Sequence, residues 1–222
     1  MEILEAVARR HSVRSYTDQK IEGVTLEALQ NEIALCNKES GLNIKLITNE
    51  KEAFDNILAK RGGFKGVANY IVLAGKKSDD LQEKCGYFGE KIVLKAQMLG
   101  LNTCWVAGTY NRKKAKSNIN KDEKLVCVIA IGYGETQGKP HKNTLIDFLF
   151  RLRGDMPSWF MEGMQCALLA PTAMNKQKFR FTMLDGNKVK AEATGRFCSG
   201  IDLGIVKLHF EIGASGAEYR FV

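Results

Sequence analysis

A chain of 222 residues is long enough to bury a sizeable core, as one domain or as two tightly packed halves. With 45% hydrophobic and 26% charged residues, it has neither the polar bias of a disordered chain nor an apolar run long enough to span a bilayer. Its 33 basic and 25 acidic residues leave a net charge of +8, which suits anionic ligands, and no nucleic-acid motif or basic–aromatic interleave accompanies that charge.

The periodicity predicts a short amphipathic helix over residues 1–9, with Ile3, Leu4, Val7 and Ala8 on one face. A second helix is expected over 25–36, a strand over 43–48 and a further helix over 50–60, broken by Gly62-Gly63. The apolar run Asn69 to Ala74 reads as a buried strand. Phe88, Ile92, Ala96 and Leu99 then recur at helical spacing, and Tyr87, Leu94 and Met98 fill a second face, so this helix belongs inside the protein. It ends at Gly100-Leu101-Asn102. Leu125 to Ile131 is another buried strand.

The polar stretch 135–143 is a candidate internal boundary. Pro157 suits the first turn of a helix over 158–169, which Pro171 prevents from continuing. Asp185-Gly186 marks the turn of a hairpin over 179–193. A helix over 198–206 and a last strand over 207–212 complete the reading. Helices and strands mixed around one hairpin argue for an α+β fold, with a mixed or antiparallel central sheet flanked by helices in three layers. No G-x-G-x-x-G follows a strand and no G-x-x-x-x-G-K-[ST] occurs, so neither a Rossmann nor a P-loop site is expected.

The six cysteines include no C-x-x-C pair, and the three histidines stand apart from them, so no metal site is expected and the cysteines read as buried free thiols. The N-terminus lacks a charged-then-apolar signal pattern, which makes the cytoplasm the expected location.

Three segments could carry chemistry. In Arg9-Arg10-His11-Ser12-Val13-Arg14, two guanidinium groups and a hydroxyl could converge on a phosphate, although the same residues also suit a solvated helix end. In Ala170-Pro171-Thr172-Ala173-Met174-Asn175-Lys176-Gln177, Asn175 and Gln177 offer the donors and acceptors that a flavin pyrimidine edge requires, or the ordinary polarity of a turn. In Gly100-Leu101-Asn102-Thr103-Cys104-Trp105-Val106-Ala107-Gly108-Thr109, Gly108 could let a planar ring approach the backbone, while Trp105 and Val106 read as core.

Taken together, the chain resembles the flavin nitroreductase family. Arg9, Arg10, Ser12 and Arg14 match its R-R-x-S-x-R segment. Ala170, Pro171, Ala173, Asn175 and Gln177 match A-P-S-A-x-N-x-Q, with Thr172 at the serine position. Gly100, Leu101, Thr103, Trp105 and Gly108 match G-L-G-T-x-W-x-G-G. The resemblance implies FMN as cofactor and NAD(P)H as reductant. It implies hydride transfer through flavin N5 to a small-molecule acceptor (nitro, quinone or flavin) by a ping-pong scheme, with no catalytic acid or base on the protein. The alternative is a non-catalytic flavin-binding or redox-sensing protein.

Carried over, Arg10, Ser12 and Arg14, with His11 through its backbone, would hold the FMN phosphate and ribityl end. Lys142 is the candidate for a further basic contact, with Lys139 and His141 as rivals. Pro171, Thr172, Ala173, Asn175 and Gln177 would line the ring, and the backbone at Ala107 and Gly108 would lie near N5. Two features depart from the family pattern. The Pro/Asn/Gln segment falls in the C-terminal part instead of early in the chain, and Gln177-Lys178-Phe179 stands where Gln-Pro-Trp is usual. Relatives bind FMN between two subunits. The expectation is therefore a monomeric single-chain pseudo-dimer over 1–222, with a main half 1–150 and a partner-mimicking half 151–222, of which 156–222 resembles a truncated second protomer.

Overall fold

The computed structural model describes residues 1–152 and 154–222. Tyr70 to Gly75 and Cys127 to Gly132 are each buried without a break, because the sheet that contains them is covered on both faces. The strand β2 (Tyr70–Lys76) lies between β1 (Lys45–Ile47) and β4 (Glu123–Gly132), and β4 pairs in turn with β3 (Asn102–Val106). All three pairings are antiparallel, with Val72 opposite Val128 and Cys104 opposite Ala130. Ile71, Leu73, Ile129 and Ile131 point to one face, where the long helices lie. Tyr70, Val72, Val128 and Ala130 point to the other, against Phe54, Phe64 and Tyr110.

A second sheet contains β5 (Phe150–Leu152), β6 (Phe179–Leu184), β7 (Lys188–Ala193) and β8 (Arg220–Phe221), in that order. β6 and β7 form the expected hairpin, and β5 and β8 flank it in parallel. The α+β class with flanking helices is as the sequence predicts. The strands divide between two four-stranded sheets, one drawn from residues 45–132 and the other from 150–221.

The helices are α1 (Ile3–Arg9), α2 (Gly23–Ser40), α3 (Ile57–Arg61), α4 (Leu81–Met98), α5 (Arg112–Lys116), α6 (Ser158–Leu168) and α7 (Ser199–Gly213). α4 covers the first sheet, α7 covers the second, and the two helices pack on each other. Glycines set how closely they approach. A Cβ at Gly86 would lie 2.0 Å from the carbonyl oxygen of Ile201, and one at Gly204 would lie 2.0 Å from that of Glu83. Aromatic rings fill the space behind α7, where Phe181 and Phe210 stack with centroids 4.7 Å apart and Trp159 stacks on Tyr219 at 5.1 Å. Among the described residues, no helix is long and apolar enough to cross a membrane.

Two expected elements differ. The helix over 198–206 and strand over 207–212 are one helix, α7. Leu208, His209 and Phe210 are buried in succession, which an alternating strand on one covered face does not do, and Gly204 is a packing glycine instead of a stop. Of the helix expected over 50–60, only α3 forms. Glu50 turns its carboxylate back onto the N–H groups of Glu52 and Ala53, and Asn56 then caps α3 by accepting the Ala59 N–H at 3.0 Å.

Candidate functional site

The three singled-out segments meet at one cleft of about 900 Å³, within the usual range for ligand sites. Arg10, His11, Ser12 and Arg14 form one wall. Val13 donates its N–H to the Thr103 carbonyl at 3.0 Å, and Ser12 bridges Thr103, so this segment is laced onto β3. Ala107 and Gly108 follow the end of β3 along the floor. A Cβ added at Gly108 would meet nothing within 4 Å, so the backbone there faces open space. Pro171, Thr172, Ala173 and Asn175, after α6, make the opposite wall.

Two predicted residues stand outside the lining. Gln177 is buried, and its amide accepts the Thr144 N–H at 2.6 Å and donates to the Leu168 carbonyl at 2.9 Å, which ties residues 141–144 to the end of α6. Lys142 is exposed and contributes its carbonyl, which accepts the Asn175 amide at 2.7 Å. Its two rivals, Lys139 and His141, do line the cleft.

The charges are uneven. Arg10, Arg14 and Lys139 face a single lining carboxylate, Asp202. Arg10 is only 3% exposed, its Nε has no hydrogen-bond partner, and the buried Glu90 carboxylate lies 3.7 Å from it, beyond hydrogen-bond reach. Burial pushes this guanidinium below its ordinary pKa, while the nearby Glu90 carboxylate pushes it back up. His11 is also pushed down, by burial first and then by Arg10 and His141. Cys104, Cys127 and Cys198 line the cleft as free thiols, and burial raises each of them, so they present neutral SH groups and not nucleophilic thiolates.

The 171–177 wall has unusual backbone. Met174, Asn175 and Gln177 all have positive φ, near +50°, in a conformation non-glycine residues adopt only when their surroundings enforce it. Asp202 on α7 supplies part of that enforcement by accepting the Ala173 N–H with both carboxylate oxygens, at 2.9 and 3.1 Å. Its burial pushes its pKa up to about 6, against the opposing pull of that N–H.

The profile of the family described as "Putative TM nitroreductase" matches residues 2–214. The chain belongs to this nitroreductase family. A Thermotoga maritima nitroreductase-family structure superposes with a TM-score of 0.65 at 25% identity, over 96% of this chain and 83% of that chain. An FMN-dependent nitroreductase from Clostridium difficile gives a TM-score of 0.51 at 20% identity, over 63% of this chain and 91% of its own. A nitroreductase family protein from Streptococcus pneumoniae gives 0.53 at 12% identity, over 66% and 98%. No curated protein matches the sequence.

Several residues in and behind the cleft do not stand out in the sequence alone. Asp202 had a signal, as the one charge within Gly-Ile-Asp-Leu-Gly-Ile. Glu90 and His209, both fully buried behind the cleft at Arg10, had no such signal, since charged residues flank each of them in its helix. Phe197 and Met174, exposed apolar side chains at the cleft, had none.

Proposed function

We propose that this chain is an FMN-dependent oxidoreductase that passes hydride from NAD(P)H, through flavin N5, to a nitro, quinone or flavin acceptor. Membership of a nitroreductase family supports the oxidoreductase reading, and the neighbour named as FMN-dependent supports the choice of flavin.

The observation that carries the proposal is Arg10. A buried guanidinium whose Nε makes no hydrogen bond and whose nearest carboxylate, Glu90, stands off at 3.7 Å, at the edge of a 900 Å³ cleft, is a donor held ready for an anion. The other residues fit the same ligand. Ser12 and Arg14 add a hydroxyl and a second guanidinium beside Arg10, and Lys139 and His141 take the place that the resemblance gave to Lys142. The open backbone at Gly108 admits a planar ring against it. Asn175, whose Nδ2 is held by the Lys142 carbonyl, keeps its Oδ1 free to accept a ring N–H. Pro171, Thr172 and Ala173 border the same side.

In such a site the protein binds, orients and shields, and the cofactor performs the redox step. No protein nucleophile is required, in keeping with the raised thiols and with Asp202 committed to the Ala173 N–H. The single cleft would receive reductant and acceptor in turn, which gives ping-pong kinetics.

We also read 151–222 as the half that stands in for a second subunit. It supplies the 171–175 wall and α7, and the smaller neighbours account for only about two thirds of this chain. The test of the function is the visible spectrum of the purified protein, before and after anaerobic addition of NADPH or NADH. A bound flavin that bleaches supports the oxidoreductase. A flavin that binds and stays oxidised with both would favour a sensor, and a protein that takes up no FMN would overturn the reading.

A further inference from the structure

At and behind the cleft wall lie four polar side chains from four parts of the fold: Arg10 after α1 and Trp105 on β3, which line the cleft, and Glu90 on α4 and His209 on α7, which do not. Glu90 and His209 are 0% exposed. His209 Nδ1 lies 3.2 Å from the Cys166 carbonyl oxygen on α6, which can only accept, so Nδ1 carries a hydrogen. His209 Nε2 lies 2.9 Å from Glu90 Oε1. Without a proton in that contact, two lone pairs would face each other in a dry interior. One proton therefore sits between them, whichever atom holds it, and the pair as a whole is neutral. The other carboxylate oxygen accepts the Trp105 Nε1–H at 2.8 Å.

Arg10 Nε is 3.7 Å from Glu90 Oε1 and makes no hydrogen bond to it. The nearby Cys104 thiol is kept neutral by burial. The buried group thus carries one unbalanced positive charge, and its Arg10 member lines the cleft.

We propose that His209 is a positioning residue for the ligand's anionic group: it neutralises Glu90, so that the charge of Arg10 is left for the anion in the cleft. The proposal rests on the reading above, in which Arg10 meets the phosphate of FMN. Without the proton shared with His209, Glu90 would be an unneutralised carboxylate that claims Arg10 for itself and competes with the phosphate.

The test compares the dissociation constants of FMN and of riboflavin, which lacks the phosphate, by flavin fluorescence. It uses wild type, His209→Gln and the double variant Glu90→Gln/His209→Gln. His209→Gln leaves a bare carboxylate beside Arg10 and is expected to weaken FMN about tenfold or more, with riboflavin changed by less than about twofold. The double variant removes that carboxylate's charge and is expected to return FMN to within about threefold of wild type. A packing role predicts the opposite, since losing two buried groups would be worse than losing one. FMN binding that is unchanged in His209→Gln, or equally weak in both variants, overturns the proposal. Should His209→Gln not fold, the double variant decides alone, and a loss beyond about tenfold in FMN affinity overturns the proposal. Wild type that binds FMN and riboflavin equally, or neither, removes the phosphate reading itself and this inference with it.

Discussion

Asp202 and Ala173 are 29 residues apart in sequence, and the Asp202 carboxylate holds the Ala173 N–H with both oxygens. This contact joins α7 to the strained wall of the cleft. Asp202→Ala would release that N–H and weaken FMN binding by about tenfold, a loss of the order expected for a charge-assisted hydrogen bond. Equilibrium dialysis against FMN would read it, and an unchanged affinity would show that the wall keeps its shape unaided.

The same carboxylate has a pH signature. Its folded pKa is raised to about 6 from an ordinary value of 3.8. A raised carboxylate pKa means that the folded state binds the proton more tightly than the unfolded state. The stabilisation that the protonated form contributes is therefore complete below pH 3.8 and is lost as pH rises through about 6. Urea midpoints of wild type relative to Asp202→Asn should fall between about pH 4 and pH 6 and stay level above about pH 7. A difference that does not vary with pH would mean that Asp202 titrates normally.

Two glycines separate stability from binding. Gly204→Ala drives a methyl group to 2.0 Å from the Glu83 carbonyl oxygen, which forces α4 and α7 apart at a cost of about 3 kcal/mol. Gly108→Ala meets no protein atom within 4 Å and should leave the urea midpoint unchanged, but its methyl group projects into the space assigned to the flavin and should weaken FMN. Similar denaturation curves for the two variants would contradict this division.

Arg10→Met removes a buried charge whose Nε makes no hydrogen bond and whose neighbour Glu90 is already paired with His209. The ligand-free protein should be at least as stable as wild type, while FMN affinity falls by about a hundredfold and riboflavin affinity does not. Thermal melts without ligand and flavin titrations together check this. A large loss of stability in the ligand-free protein would mean that the guanidinium is held for packing.

If 151–222 stands in for a second subunit, native mass spectrometry should find a monomer with one FMN per chain. An obligate dimer with two flavins would remove the pseudo-dimer reading.

Much of the cleft was legible because its residues are local motifs. The spacing of Arg10, Ser12 and Arg14 and the Pro171-to-Asn175 run each survive as contiguous text in the sequence, and the fold brings them together. The choice between Lys142 and Lys139 was not legible, because it depends on how the loop before Thr144 is pinned by Gln177. Residues 207–212 misled because their apolar run fits a strand as well as a helix, and the burial of Leu208, His209 and Phe210 in succession against neighbours distant in sequence decides between them. Glu90 and His209 were not legible, because each sits among other polar residues of its helix and its meaning lies in a contact across 119 positions.

That crossing of α4 and α7 also fixes when the cleft can form. During synthesis α4 emerges about 100 residues before α7, with Glu90 and the groove at Gly86 still lacking their cover. A nascent chain that stops before α7 has the Arg10 segment and the β3 floor, but no Asp202 to hold the opposite wall and no His209 to neutralise Glu90. On the proposed reading, cofactor capture therefore waits until α7 has packed onto α4, well after the Arg10 segment and the β3 floor have been made.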